Sequence, residues 1–142
     1  VMIEEKQAEI KFDENEDIRV FADDFYIEQV LTNYLTNAIK NVKEMYGEKY
    51  IKISNEINKE EQKVCIKVFN TGEQISEENL NRIWNRFYKA DESRHREDGG
   101  TGIGLAFVKA IMSNYDNKYG VKNLENGVEF YFELDMRQKG QS

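Results

Sequence analysis

The run Asn33-Tyr34-Leu35-Thr36-Asn37-Ala38-Ile39-Lys40-Asn41 sits at the centre of the strongest helical signal in the chain. Around it Ile27, Val30, Leu31, Tyr34, Leu35, Ala38 and Val42 recur at three- and four-residue spacing. That period predicts an amphipathic helix from about Asp24 to Met45, with Gly47 as its stop. A second pattern runs beside the apolar stripe. At roughly 100° per residue, Asn33, Asn37, Lys40 and Asn41 fall on one narrow polar strip bordering the core face. Asparagine is mildly unfavourable inside a helix, so a pair at i and i+4 needs a reason. One reason is a solvated flank or a helix-to-loop hydrogen bond. The other is a carboxamide oxygen at Asn37 serving Mg²⁺, a hard cation that takes oxygen ligands, with Lys40 one turn along to meet phosphate.

Outward from this helix the chain alternates strand-like and helix-like segments. Before it come Ala8 to Phe12 and Ile18 to Phe21, both short and β-like. After it, Tyr50 to Ile57 and Lys63 to Phe69 read as two strands joined by the charged link 58–61, with Val64, Ile66 and Val68 marking an apolar face. A helix is expected after Ser76, from the acidic first turn Glu77-Glu78 and the apolar positions Leu80, Ile83, Trp84 and Phe87. Lys89 to Asp98 is almost devoid of apolar residues and reads as a mobile, solvated loop. A last helix carries Leu105, Val108, Ile111 and Met112, and a last strand runs from Val128 to Leu134. No internal repeat and no Pro/Gly-rich linker divides the chain, so one α/β domain over 1–142 is expected.

Two glycine turns join the polar strip as candidate ligand sites. Gly100-Thr101-Gly102-Ile103-Gly104 opens a helix, where backbone N–H groups make a site for anions and glycine lets a ligand approach closely. It is not a P-loop, since no Gly-Lys-Ser/Thr follows. Nor is it a dinucleotide fingerprint: Leu105 stands where the third glycine would fall, and no strand leads in. A plain hinge or cap is the competing reading. Asn70-Thr71-Gly72 ends a strand and reads as a turn; if Asn70 instead lines a pocket, its oxygen can accept from an adenine amino group.

Bulk composition narrows the classes. With 142 residues, 39% hydrophobic and 33% charged, the chain fits one globular core. No apolar run approaches the roughly 20 residues of a membrane span, and no secretory signal opens the chain. A net charge of −7 without a basic stripe argues against nucleic acid. An anionic ligand must therefore be held by local donors. The lone Cys65 reads as a small core side chain and fits a reducing compartment.

Taken in order, these segments resemble the catalytic, ATP-binding domain of bacterial sensor histidine kinases. Residues 33–41 are similar to the N box, Asn70-Thr71-Gly72 to the start of the first glycine box, Arg86-Phe87-Tyr88-Lys89-Ala90-Asp91 to the F box, and Gly100 to Leu105 to the second glycine box. The details resemble Firmicutes-type sensors related to those of vancomycin resistance. The resemblance implies the Bergerat-type ATP-binding fold shared with gyrase B, Hsp90 and MutL: an α+β two-layer sandwich in which about three helices cover one face of a mixed sheet. It implies ATP and Mg²⁺ as ligands, with Asn37 on the metal and Asn37 and Lys40 as the catalytic pair. Nucleotide contacts are implied at Asn33, Asn41, Asn70, Gly72, Ile75, Arg86, Phe87, Lys89, Gly100, Thr101, Gly102, Ile103, Gly104 and Leu105. Implied partners are a phosphoacceptor and dimerisation domain and, through the full-length protein, a response regulator. The only histidine, His95, lies in the charged loop, so the acceptor, dimerising helices and sensor are expected upstream of Val1. The isolated domain is expected to be monomeric, without direct membrane contact, on the cytoplasmic side of a membrane-bound sensor.

One position separates kinase from hydrolase, and two others depart from the family. Gyrase-type relatives place a Glu base one turn before the metal-binding Asn; Asn33 cannot take a proton at neutral pH, which disfavours rapid hydrolysis. Most sensor kinases have Asp where this chain has Asn70, and lack of that carboxylate weakens the adenine contact, because charge-assisted bonds are about twice as strong as neutral ones. The second glycine of that box is also replaced, by Glu73-Gln74-Ile75. A docking module without turnover and a gyrase- or MutL-like ATPase are the alternatives.

Overall fold

The computed structural model describes residues 8–12, 20, 22–85 and 104–136. Among these residues five strands form one mixed sheet: β1 (Glu9–Phe12), β2 (Tyr50–Asn58), β3 (Lys63–Thr71), β4 (Tyr119–Leu124) and β5 (Gly127–Asp135), in the order β1-β2-β3-β5-β4. β1 pairs parallel to β2 and every other pair is antiparallel. Helices α1 (Asp24–Asn41) and α2 (Gly104–Tyr115) supply the second layer. Alternation decides the faces. Val64, Val68, Val128, Phe130, Phe132 and Leu134 are buried beneath Val30, Tyr34 and Ala38 of α1 and Val108, Ile111 and Met112 of α2. The opposite face of the sheet carries Cys65, Lys67, Phe69 and Tyr131. The expected two-layer architecture, with helices on one face, is present.

The N-terminus of α1 is closed by Asp23, whose carboxylate accepts from the Phe25 N–H at 2.8 Å. α1 ends at Asn41, short of the expected Met45. Val42 turns to an extended conformation while staying buried, and the Lys43 N–H donates to the Thr71 carbonyl at the end of β3. A tertiary contact therefore stops the helix, not Gly47. Gly47 instead joins Tyr46, at φ of 83° and 53°, in a tight turn between the bridged Met45 and Glu48.

Three further expectations are corrected. The helix expected after Ser76 is two 3₁₀ turns, Glu77–Asn79 and Arg82–Trp84, and Ser76 makes no side-chain cap. Asn79, Asn81 and Asn85 disfavour continuous α-winding, while Trp84 anchors the segment by edge-on packing against Tyr119, Tyr34 and Phe130. β4 was not anticipated at all. The neighbouring strands reach slightly beyond their expected ends, to Asn58, Thr71 and Asp135. The β-like stretch Ile18 to Phe21 lies outside the described residues except for Val20, which packs on the core without regular structure. The loop Lys89 to Asp98 also lies outside them. Among the described residues no helix is long and apolar enough to cross a membrane.

Candidate functional site

α1 and α2 run antiparallel. At one end the Asp23 N–H donates to the Tyr115 hydroxyl at 2.9 Å. At the other, the start of α2 meets the polar strip of α1 so closely that a β-carbon on Gly104 would stand 2.6 Å from Asn33 Oδ1. Asn33 is held in that pose by its own nitrogen, which donates to the Gln29 carbonyl at 2.8 Å. Its oxygen is thereby turned to the helix start that the sequence marked as an anion site. The two motifs, far apart in sequence, are thus joined by a glycine that leaves no room for a side chain.

One turn on, Asn41 Nδ2 donates to both the carbonyl and Oδ1 of Asn37, at 2.8 and 3.1 Å. This gives the exposed asparagine at the last helical position a role: its side chain folds back on the Asn37 carbonyl and fixes the Asn37 carboxamide, whose oxygen keeps a second lone pair. Lys40 lies between them in sequence, on the same half-exposed flank. The strip predicted from periodicity is therefore real, and two of its asparagines have their oxygens set by hydrogen bonds. Among the described residues, no three His, Cys, Asp or Glu side chains converge as a metal site.

The other wall comes from the end of β3. Asn70 is 2% exposed and its nitrogen donates to the Thr71 carbonyl at 3.0 Å, leaving its oxygen as the accepting group. Gly72 follows at φ 150°, and a β-carbon there would stand 2.8 Å from the Asn41 carbonyl. The turn after β3 is thus pressed against the end of α1, as the Lys43–Thr71 bond also requires. The Lys43–Glu73 ion pair beside it, at 3.0 Å, is largely exposed and contributes little.

The segment after Gly72 has no regular structure of its own, and sequence reasoning missed what holds it. The Gly72 N–H donates to the Asn126 carbonyl at 3.1 Å. Gln74 Nε2 donates to the Leu124 carbonyl at 2.7 Å. Asn123 accepts from the Ile75 N–H at 2.9 Å and donates to the Ile75 carbonyl at 2.7 Å. All three supports lie on β4 and its turn into β5. Leu105 is half-buried and packs on the core at the start of α2. Arg86, Phe87, Lys89, Gly100, Thr101, Gly102 and Ile103 lie outside the described residues. Asn33, Asn37, Asn41, Gly72 and Gly104 are brought together around the C-terminal half of α1.

Known proteins share this fold. Residues 22–138 match the family described as histidine kinase-, DNA gyrase B-, and HSP90-like ATPase. The sensor histidine kinase YkoH of Bacillus subtilis is 37% identical over 110 residues, covering 78% of this chain and 23% of that protein. The sensor protein VanSB of Enterococcus faecalis is 31% identical over 115 residues, covering 81% of this chain and 25% of that protein. This chain thus spans about a quarter of the length of these relatives. The nucleotide-free catalytic domain of the histidine kinase ThkA superposes with a TM-score of 0.77 at 34% identity, covering 94% of this chain and 84% of that one. ThkA has also been solved in complex with the response regulator TrrA. The chain belongs to the histidine kinase-, DNA gyrase B-, and HSP90-like ATPase family, and its relatives within it are sensor histidine kinases.

Proposed function

We propose that this chain binds Mg-ATP and donates the γ-phosphoryl group to a histidine on a separate dimerisation domain, as the catalytic domain of a two-component sensor. The observation that carries the reading is the approach of Gly104 to Asn33, which sets a carboxamide oxygen against a helix N-terminus. Those are the complementary halves of a site for a cation and the phosphates it accompanies. In the transfer, a neutral imidazole nitrogen gives its lone pair to the γ-phosphorus. The bridging P–O bond breaks, and ADP leaves with that electron pair. The protein's part is positioning and charge neutralisation. Asn37 would hold Mg²⁺ through its carboxamide oxygen, Asn33 would face the metal's waters, and Lys40 would meet phosphate. When bound, the metal neutralises phosphate charge. Adenine would lie against Asn70, which supplies an acceptor, and Ile75.

Asn33 is no proton acceptor at neutral pH, so hydrolysis in the absence of the histidine domain is slow. The ThkA–TrrA complex is compatible with a response regulator as the downstream partner, on the cytoplasmic side of a membrane-bound sensor. The test is calorimetric titration of Mg-ADP and Mg-AMPPNP into this chain and its Asn37→Asp and Asn70→Asp variants. Expected are Mg²⁺-dependent binding, loss with Asn37→Asp, and equal or tighter binding with Asn70→Asp. No binding by the parent or by Asn70→Asp at millimolar nucleotide would overturn the reading.

A further inference from the structure

The sheet register aligns four residues across four strands: Ile51 pairs with Asn70, Asn70 with Val128, and Val128 with Asn123. Paired residues share a face, so Asn70 and Asn123 both lie on the helix-facing side, with the buried Val128 between them. Two strand spacings separate them, about 10 Å. Asn123 does more than occupy this row. Its carboxamide binds both backbone groups of Ile75, as the next residue of a neighbouring strand would. A side chain thus replaces the missing β-ladder beside β4 and fixes an irregular segment at both polar groups of one residue. Gln74 Nε2 adds a third bond from that segment, to the Leu124 carbonyl.

We propose that Asn123 is a positioning residue for adenine recognition. It holds Ile75 as the wall of the purine slot facing Asn70, at a separation fixed by the sheet. This rests on the nucleotide-binding reading above. Neither residue alone sets the slot: Asn70 supplies the in-plane acceptor, and Ile75 the apolar wall that keeps the base in register with it. Without the clamp, the segment loses both bonds at Ile75 and is left with the Gln74 bond to the Leu124 carbonyl, so Ile75 shifts and the purine amino group no longer meets Asn70. The phosphate side, built on α1 and α2, is untouched.

The experiment compares Mg-ADP with Mg-inosine diphosphate, which shares phosphates, ribose and purine but lacks the amino group. Titrations use the 142-residue chain, Asn123→Ala, and Asn123→Asp, which keeps the acceptor for the Ile75 N–H and loses the donor. The parent should prefer ADP. Asn123→Ala should lose about tenfold in ADP affinity, close to 1.4 kcal/mol, with a clearly smaller loss for inosine diphosphate, whose ring also rests on Ile75 but which has no amino group to misalign, and Asn123→Asp should fall between. An equal loss for both nucleotides, or none, overturns the positioning role while leaving the proposed function standing. No ADP binding by the parent overturns the proposed function and this role with it. Should the alanine variant fail to fold, hydrogen exchange of the parent decides: a protected Ile75 amide supports the clamp, and an amide exchanging as fast as an unstructured one overturns it.

Discussion

Asn33 Oδ1 and the α-carbon of Gly104 approach so closely that the smallest side chain at Gly104 would force one of them to move. The contact is to the end of a short side chain, so relief is local: Asn33 rotates and gives up its bond to the Gln29 carbonyl. Gly104→Ala should therefore leave stability within about 1 kcal/mol of the parent, since alanine also favours the helix. Mg-ADP affinity should fall about tenfold or more. Calorimetry and thermal melting on Gly104→Ala, Asn33→Ala and the double variant check this. Non-additive losses are expected, because both changes disturb one contact.

Gly72 presents the opposite case. Its φ of 150° is unfavourable for other residues, and the atom a β-carbon would meet at 2.8 Å is the backbone carbonyl of Asn41. No rotamer relieves that. Gly72→Ala should cost about 1–3 kcal/mol of stability as well as nucleotide affinity, read as a lower denaturant midpoint.

Tyr34 is fully buried among Trp84, Phe130 and Phe132, and its hydroxyl donates to the Tyr131 carbonyl at 3.0 Å. Burial pushes its phenol far above the ordinary 10.0. The folded state therefore keeps a proton that the unfolded chain releases. Its contribution to stability is full below pH 10.0 and is lost as pH rises from there toward the raised folded value. Tyr34→Phe should cost about 1 kcal/mol at neutral pH and flatten the alkaline limb of a stability–pH curve. An unchanged alkaline limb would contradict the buried phenol.

Cys65, half-buried on the open face of the sheet, has its thiol raised above 9.0 by burial, partly offset by the nearby Lys67 ammonium. Alkylation by iodoacetamide should rise with pH along a curve displaced to higher pH than for the denatured chain, followed by mass spectrometry. The sign matches Tyr34: the stabilising contribution is full below 9.0 and is lost as pH climbs through the raised folded value.

What could be read in advance follows from how far each determinant lies along the chain. The α1 stripe and the alternation of β3 and β5 are local periods, and they located the helix, the sheet and the polar strip together. The end of α1 was misjudged because Val42 is apolar and in phase, while its exit is set by the Lys43–Thr71 bond to a distant strand. β4 was hidden by Gly120, Lys122 and Asn123. Gly120 is there for a reason no local pattern carries, since the Tyr131 ring occupies the space a side chain would need. The Asn123–Ile75 clamp joins residues 48 positions apart and leaves no periodic trace. Asn33, Asn37 and Gly104 were legible as types, and the resemblance placed them around one ligand, but the direct contact of Gly104 with Asn33 Oδ1 was not.

Thr71 and Gly127 are paired neighbours on β3 and β5, and the Gly72 N–H meets the Asn126 carbonyl. The chain therefore leaves the sheet after Thr71, returns to it at Tyr119 in β4, and comes back beside its point of departure where Asn126 meets Gly72. For a flexible loop, the entropy of closing such an excursion grows only with the logarithm of its length, about 0.6 kcal/mol per doubling. Residues added within the excursion would change little in the stability of the sheet. Selection can thus lengthen, shorten or re-sequence the excursion with the pairing of Thr71 and Gly127 left intact.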